Sequence, residues 1–316
     1  MAAEQARAAA LVAAARDGDA RALARLVSQV ENGAPALRAI MAAVAPYGGH
    51  ARVIGLTGSP GVGKSTVTSA LVRALRAAGR RVGVLAVDPT SPFSGGALLG
   101  DRVRMQDHAT DAGVFIRSMA SRGHLGGLSA AAPQALRVLD AAGFDVICVE
   151  TVGVGQAEVE IAGLADSTLV ILAPGMGDAI QTAKAGVLEI ADLFVVNKSD
   201  RDGAREVVRD LRTMIAMGTW PQGGWKPPIV LACATAGDGI GELAERLDRH
   251  WEWLGRSGEL DRRRLARARE EISAIAVAAI RRRLGGVPGD SRLDDVAARV
   301  AAGKLDAFSA ADELLS

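Results

Sequence analysis

Aromatic side chains are scarce in this chain: one tyrosine, five phenylalanines and four tryptophans make up 3% of its 316 residues. With so little aromatic volume the core is expected to be aliphatic, and the abundant alanine predicts helical appendages. Only two cysteines occur, Cys148 and Cys233, both inside apolar runs that read as strands. That usage points away from a disulfide framework and towards reduced core thiols. The four histidines (His50, His108, His124 and His250) are scattered, with no Cys-x-x-Cys or His-x-His pairing. A dedicated soft-metal site is therefore not expected. Neither sign of charge is in excess, since 37 Lys and Arg against 36 Asp and Glu leave a formal net charge of +1. That balance argues against a general nucleic-acid or membrane-surface binder, so no nucleic acid and no membrane is expected among the partners. No apolar stretch reaches the roughly 18 residues of a membrane span. Met1-Ala2-Ala3-Glu4 also lacks the basic-then-apolar opening of a secretory signal, and a soluble cytoplasmic protein is expected.

What is present is a complete phosphate-binding loop. Residues 58–65 read Gly58-Ser59-Pro60-Gly61-Val62-Gly63-Lys64-Ser65, followed by Thr66. The apolar run Val53-Ile54-Gly55-Leu56 before it fits a buried strand, and the segment from Ser65 to Ala78 has helical spacing, with Val67, Leu71 and Leu75 on one face. A helix N-terminus carries unpaired N–H groups and partial positive charge, a natural seat for phosphate. Gly58, Gly61 and Gly63 let the backbone wrap closely, Lys64 reaches the β and γ oxygens, and Ser65 ligates Mg²⁺.

Three regions separate along the chain. Residues 1–50 form an N-terminal helical extension, with Leu23, Leu26, Val27 and Val30 at helical spacing. Residues 51–256 alternate helical segments with apolar runs at 53–57, 82–87, 114–117, 144–149, 168–173, 193–197 and 229–233. This pattern predicts an α/β fold of P-loop NTPase type, a mainly parallel sheet flanked by helices. Residues 257–316 turn helical again, with one stripe of Leu265, Ile272, Ile275 and Ala279 and another of Leu293, Val296 and Val300. Physics alone leaves open whether these end helices pack on their own core or on a second subunit.

Asn197-Lys198-Ser199-Asp200 ends the apolar run Leu193–Val196, at the carboxyl edge where open α/β sheets bind ligands. Guanine offers a ring N–H and an exocyclic amine side by side, and the carboxylate of Asp200 can accept both. Adenine would leave Asp200 badly paired, so a guanine nucleotide is expected. Asn197 is placed to tie this loop to the phosphate loop, with Lys198 laying its stem along the base. Cys233, Ala234 and Thr235 are placed to support the base through backbone N–H groups. Asp88 and Glu150 follow the second and fourth apolar runs, at the same edge as Lys64, and Asp101 is a third metal candidate. A Mg²⁺ bound with nucleotide phosphates uses few protein oxygens and keeps several waters. The alternative for all three acids is ordinary helix capping. Glu150-Thr-Val-Gly153 is followed by Val154, where Ras-like enzymes place a water-orienting glutamine. Hydrolysis by the isolated chain is therefore expected to be slow. Lys64, Glu150 and Asp101 are the candidate catalytic groups.

Four longer stretches carry a resemblance. They are Asp88-Pro-Thr-Ser-Pro-Phe-Ser-Gly-Gly-Ala-Leu-Leu-Gly-Asp-Arg-Val-Arg-Met105, Arg117-Ser-Met-Ala-Ser-Arg-Gly-His-Leu-Gly-Gly127, Glu150-Thr-Val-Gly-Val-Gly-Gln156 and Leu188-Glu-Ile-Ala-Asp-Leu-Phe-Val-Val-Asn-Lys198. They resemble the hallmarks of the MeaB/ArgK GTPases, associates of methylmalonyl-CoA mutase, over roughly residues 20–300. The resemblance implies a homodimer joined through the carboxy-terminal helices. It also implies a chaperone that gates adenosylcobalamin delivery to an acyl-CoA mutase and protects or reactivates it. The metal site it implies maps onto Ser65, Asp88, Asp101 and Glu150, and coupling to the partner onto Asp178 and Lys184. Ala157, Ala179 and Ser199 depart from the family pattern, and Ala179 removes a charge beside the coupling loop. Competing readings are a nickel-insertion GTPase of hydrogenase or urease maturation type, which the sparse Cys and His disfavour, a P-loop kinase, and a structural dimer with a vestigial site.

Overall fold

The computed structural model describes residues 2–88, 105–108, 110–120, 131–151, 157–175, 188–283 and 291–315. Seven strands form where the seven apolar runs lie: β1 (Arg52–Thr57), β2 (Val82–Asp88), β3 (Val114–Ala120), β4 (Val146–Thr151), β5 (Ser167–Leu172), β6 (Leu193–Val196) and β7 (Ile229–Leu231). Among the described residues these strands all pair in parallel, in the order β3-β2-β4-β1-β5-β6-β7. The fold is thus an α/β P-loop architecture with additional helices at both ends. Some boundaries differ from the sequence reading. Asp88 and Glu150 are within β2 and β4 rather than after them, because both backbones stay in the ladder, Ala86 against Glu150 and Asp88 against Ala120. The run at 229–233 stops pairing early. Ala232 N–H still reaches Val196 O at 2.9 Å, but Cys233 N–H turns away to Asp238 O at 3.1 Å, so Cys233 follows the strand.

Strand alternation assigns the two faces of the sheet. On β4, Ile147 and Val149 join Leu85 and Val87 in one core cluster, while Val146 and Cys148 join Val82 and Val84 in another. The second cluster packs against the phosphate-loop helix α4 (Lys64–Ala77) through Val67, Ala70 and Leu71. Glu150 shares the parity of Val146 and Cys148, which directs it to the α4 side.

The first face takes the N-terminal helices α1 (Ala2–Arg16), α2 (Ala20–Glu31) and α3 (Leu37–Val44), together with α5 (Ala132–Ala141). Asp19 caps α2 by accepting from the N–H groups of Arg21 and Ala22, and Leu23, Leu26, Val27 and Val30 are buried along its apolar stripe. Asp140 on α5 accepts the backbone N–H groups of Gly49, His50 and Ala51 at 2.5, 3.1 and 2.8 Å. One carboxylate thereby fixes the entry into β1, which in turn delivers the phosphate loop. The helices α6 (Ala157–Leu164), α7 (Ala204–Met217) and α8 (Ile240–Ser257) complete the cover of the sheet.

Backbone contacts divide the chain into Met1–Leu260 and Asp261–Ser316. Helix α9 (Glu259–Arg283) crosses that division, and α10 (Ser291–Ala301) and α11 (Ala307–Leu315) follow. Within the second unit Arg299 and Glu313 pair at 2.7 Å, and Asp306 caps α11 by accepting from Phe308 and Ser309 N–H. Leu265, Ile272, Ile275, Val277 and Ile280 of α9 are exposed. Among the described residues no helix is long and apolar enough to cross a membrane.

Candidate functional site

The glycine-rich loop runs from the end of β1 into α4. Gly58, Gly61 and Gly63 have φ of 143°, 81° and 94°, backbone that favours glycine. A Cβ on Gly58 would run into the carbonyl of Ile171, and one on Gly63 into the side-chain amide of Asn197. Val62 is buried and anchors the loop, whereas Pro60, Gly61 and Thr66 are exposed and Ser59 is half-buried. Lys64 opens the helix. Its ammonium donates to Gly58 O at 2.8 Å and to Ser59 O at 3.1 Å, so the charge is folded back over the loop it belongs to.

A second loop, after β6, is laced to the first. Asn197 Nδ2 donates to Val62 O at 2.9 Å, and Asn197 Oδ1 accepts from Ala234 N–H at 3.1 Å. Lys198 has φ of 58° and its Nζ donates to Gly61 O at 2.6 Å. Asp200 follows with its side chain exposed. Three loops at the carboxyl ends of β1, β6 and β7 are therefore held together by the two side chains Asn197 and Lys198. The N–H groups of Cys233 and Ala234 are engaged by Asp238 O and Asn197 Oδ1, while Cys233 Sγ and Thr235 Oγ1 lie 3.4 Å apart. Two of the three amides expected to support a base are thus committed to shaping the loop itself.

The acid at the end of β4 faces the same helix. Ser65 Oγ donates to Glu150 Oε1 at 2.6 Å, and Thr68 Oγ1 lies 3.0 Å from Glu150 Oε2, all three side chains being buried. Hydroxyl and carboxylate oxygens are the donor set of a hard cation, so Ser65 and Glu150 fit Mg²⁺. The backbone of Asp88 ends β2, one strand away from β4. Asp101, Gly153, Val154, Asp178 and Lys184 lie outside the described residues. Among the described residues no cluster of three His, Cys, Asp or Glu side chains is gathered for a metal.

Thr68 is absent from the sequence-based set of candidates. Its only signal is a second hydroxyl three residues after Ser65, on the same helix face. Also unforeseen is a buried polar cluster at the other end of the strands. His250 Nδ1 lies 2.8 Å from Ser167 Oγ, its Nε2 lies 3.3 Å from Asp192 Oδ1, and its ring stacks on Trp253. Full burial keeps this trio from any substrate.

Burial pushes the Cys148 thiol up to about 12, with the charge of nearby Glu150 adding to the effect. Cys148 should therefore resist iodoacetamide in the folded chain and react on unfolding. The raised value also sets a sign. Below the ordinary value of 9.0 both states keep the proton, whereas above it only the unfolded chain loses it, so stability falls from 9.0 towards about 12. The expected slope is about 1.4 kcal/mol per pH unit. Denaturant unfolding of the parent chain and of Cys148→Ala across that range checks this; equal slopes would contradict it.

The model of the family described as "Methylmalonyl Co-A mutase-associated GTPase MeaB" matches residues 23–287. A protein of Pyrococcus abyssi, provisionally named a GTPase, is 47% identical over 96% of this chain and 95% of its own. The GTPase ArgK of Escherichia coli is 39% identical over 72% of this chain and 71% of its own. The mouse mitochondrial methylmalonic aciduria type A homolog is 37% identical over 67% of this chain and 52% of its own. Among solved structures, one described as a LAO/AO transport system kinase superposes with a TM-score of 0.71 at 26% identity, covering 98% of this chain and 96% of that one.

Proposed function

Because the chain belongs to the methylmalonyl-CoA mutase-associated GTPase family MeaB, and is a GTPase, we propose that it is the GTP-driven chaperone of an adenosylcobalamin-dependent acyl-CoA mutase. In this reading it gates delivery of the cofactor to the mutase and protects or reactivates the loaded enzyme. The family's description names an association with methylmalonyl-CoA mutase, which makes that enzyme the first client to test. The two cysteines and four scattered histidines speak against the nickel-insertion reading, which needs Cys or His ligands near the nucleotide.

The observation that carries the nucleotide assignment is the lacing of the Asn197–Asp200 loop onto the phosphate loop by the bonds to Val62 O and Gly61 O. It supports a reading in which the Asp200 carboxylate takes guanine beside a helix N-terminus suited to phosphate. GTP would lie with its phosphates along Gly58–Thr66 and its base at Asp200, flanked by Lys198 and the 233–235 turn. Lys64 would leave Gly58 O and Ser59 O for the phosphate oxygens, which are stronger acceptors because they are charged. Mg²⁺ would be held by Ser65 and Glu150, with Asp88 and Asp101 as further candidates, and would supply charge neutralisation on the phosphates. Asp178 and Lys184 are proposed to relay nucleotide state to the mutase. The apolar residues exposed along α9 are proposed to meet a second copy in a homodimer.

Val154, in place of a water-orienting glutamine, leads to a basal turnover below about 1 s⁻¹. The test is GTP turnover of the full chain alone and with methylmalonyl-, ethylmalonyl- or isobutyryl-CoA mutase. Strong stimulation by one of them is expected. No response to any would sink the client assignment and leave the guanine site standing.

A further inference from the structure

Helix α4 offers Glu150 two hydroxyls, not one. Ser65 and Thr68 stand three residues apart, hence on one face of the helix, and each meets a different oxygen of the carboxylate. The sequence motif explains Ser65 only. Thr68 is fully buried in a stretch where valine would fill the same volume without a polar atom, so its hydroxyl needs a reason.

The ordinary explanation is local. A helical threonine can return its proton to the carbonyl one turn back, and Thr68 Oγ1 lies 3.0 Å from Lys64 O. That carbonyl, however, is also where the helical N–H of Thr68 itself points. The carboxylate at the same 3.0 Å is charged and is the stronger acceptor for the single hydroxyl proton. The Lys64 carbonyl keeps its helical N–H either way, so the proton gains more at the charged oxygen.

We propose that Thr68 is a positioning residue for metal binding, its hydroxyl fixing Glu150 Oε2 so that Oε1 stays turned to Ser65. Two donors one helical turn apart align the carboxylate along α4 and stop it rotating about its last torsion. Oε1 and Ser65 Oγ then form a ready pair of hard oxygens before any ion arrives. Without the Thr68 hydroxyl the carboxylate loses one of the contacts that orient it along α4, and Oε1 is held less firmly towards Ser65. Partners of this kind typically change metal affinity by about 10–100-fold.

This inference rests on the GTP and Mg²⁺ reading above, and one experiment separates the two. Binding of fluorescent GDP to the full-length parent, Thr68→Val, Thr68→Ala and Thr68→Ser chains is titrated in EDTA and then at rising MgCl₂, alongside the Mg²⁺ dependence of GTP turnover. In Thr68→Val the Mg²⁺ concentration for half-effect is expected to rise by about ten-fold or more. Affinity in EDTA should stay within about two-fold, since the hydroxyl is directed at Glu150 and the Lys64 carbonyl. Thr68→Ser keeps the donor and should restore the parent Mg²⁺ requirement, which a purely packing role of the threonine methyl would not allow. Thr68→Ala makes the same prediction as Thr68→Val with a smaller side chain, should valine disturb the fold. An unchanged Mg²⁺ requirement in both donor-less variants overturns the proposal while leaving the nucleotide site intact. A parent chain that binds no guanine nucleotide, or binds it without regard to Mg²⁺, overturns the site reading and this one with it.

Discussion

Asp200→Asn should lose GTP and gain xanthosine triphosphate. Guanine presents two adjacent donors, the ring N–H and the exocyclic amine, and a carboxylate accepts both. An asparagine amide presents one acceptor and one donor, so one guanine N–H is left facing another N–H. Xanthine carries a carbonyl where guanine carries its amine, and it accepts from that same amide. Sites built on such hydrogen bonds discriminate by about 10⁴-fold, because the mismatched partner leaves polar groups unpaired. The exposure of Asp200 in the free chain moderates this to a loss of about 10²–10³ in GTP affinity, since water competes for the carboxylate. Competition of each triphosphate against fluorescent GDP checks it. Undiminished GTP binding by Asp200→Asn would mean that another group reads the base.

Lys64→Ala is expected to reduce single-turnover GTP hydrolysis by about 10²–10³-fold, the usual effect of removing one fixed positive donor from a charge-building transition state. In the free chain Lys64 is buried and bonded to Gly58 O and Ser59 O. Its removal therefore also takes a donor from two loop carbonyls, of which Ser59 O keeps Val62 N–H at 3.5 Å, and nucleotide affinity should fall together with the rate. Measuring the rate at saturating GTP separates the two effects. A rate within a factor of about three of the parent would show that Lys64 serves only to close the empty loop.

The sheet was legible because buried parallel strands leave short aliphatic runs, and all seven runs form strands. Their order was not legible, since no local signal says that β4 inserts between β2 and β1. The phosphate loop and Asn197-Lys198-Ser199-Asp200 could be read as chemistry because glycine, lysine and aspartate have few other reasons to stand in that spacing. Thr68 could not, as a lone threonine inside a helix has several. Asp140 was equally silent: its role depends on three N–H groups some ninety positions earlier in the chain. His250 was read as one of four scattered histidines, yet long-range packing brings Ser167 and Asp192 to it.

The left-handed backbone of Lys198 has a historical consequence. A side chain in that conformation costs about 1–2 kcal/mol, and glycine there would remove the penalty. On backbone conformation alone, glycine is the more stable choice at this position. Lysine here is a cost set against what its ammonium does at Gly61 O. A lineage that ceased to use its nucleotide should give up Lys198 early, long before the fold records the loss.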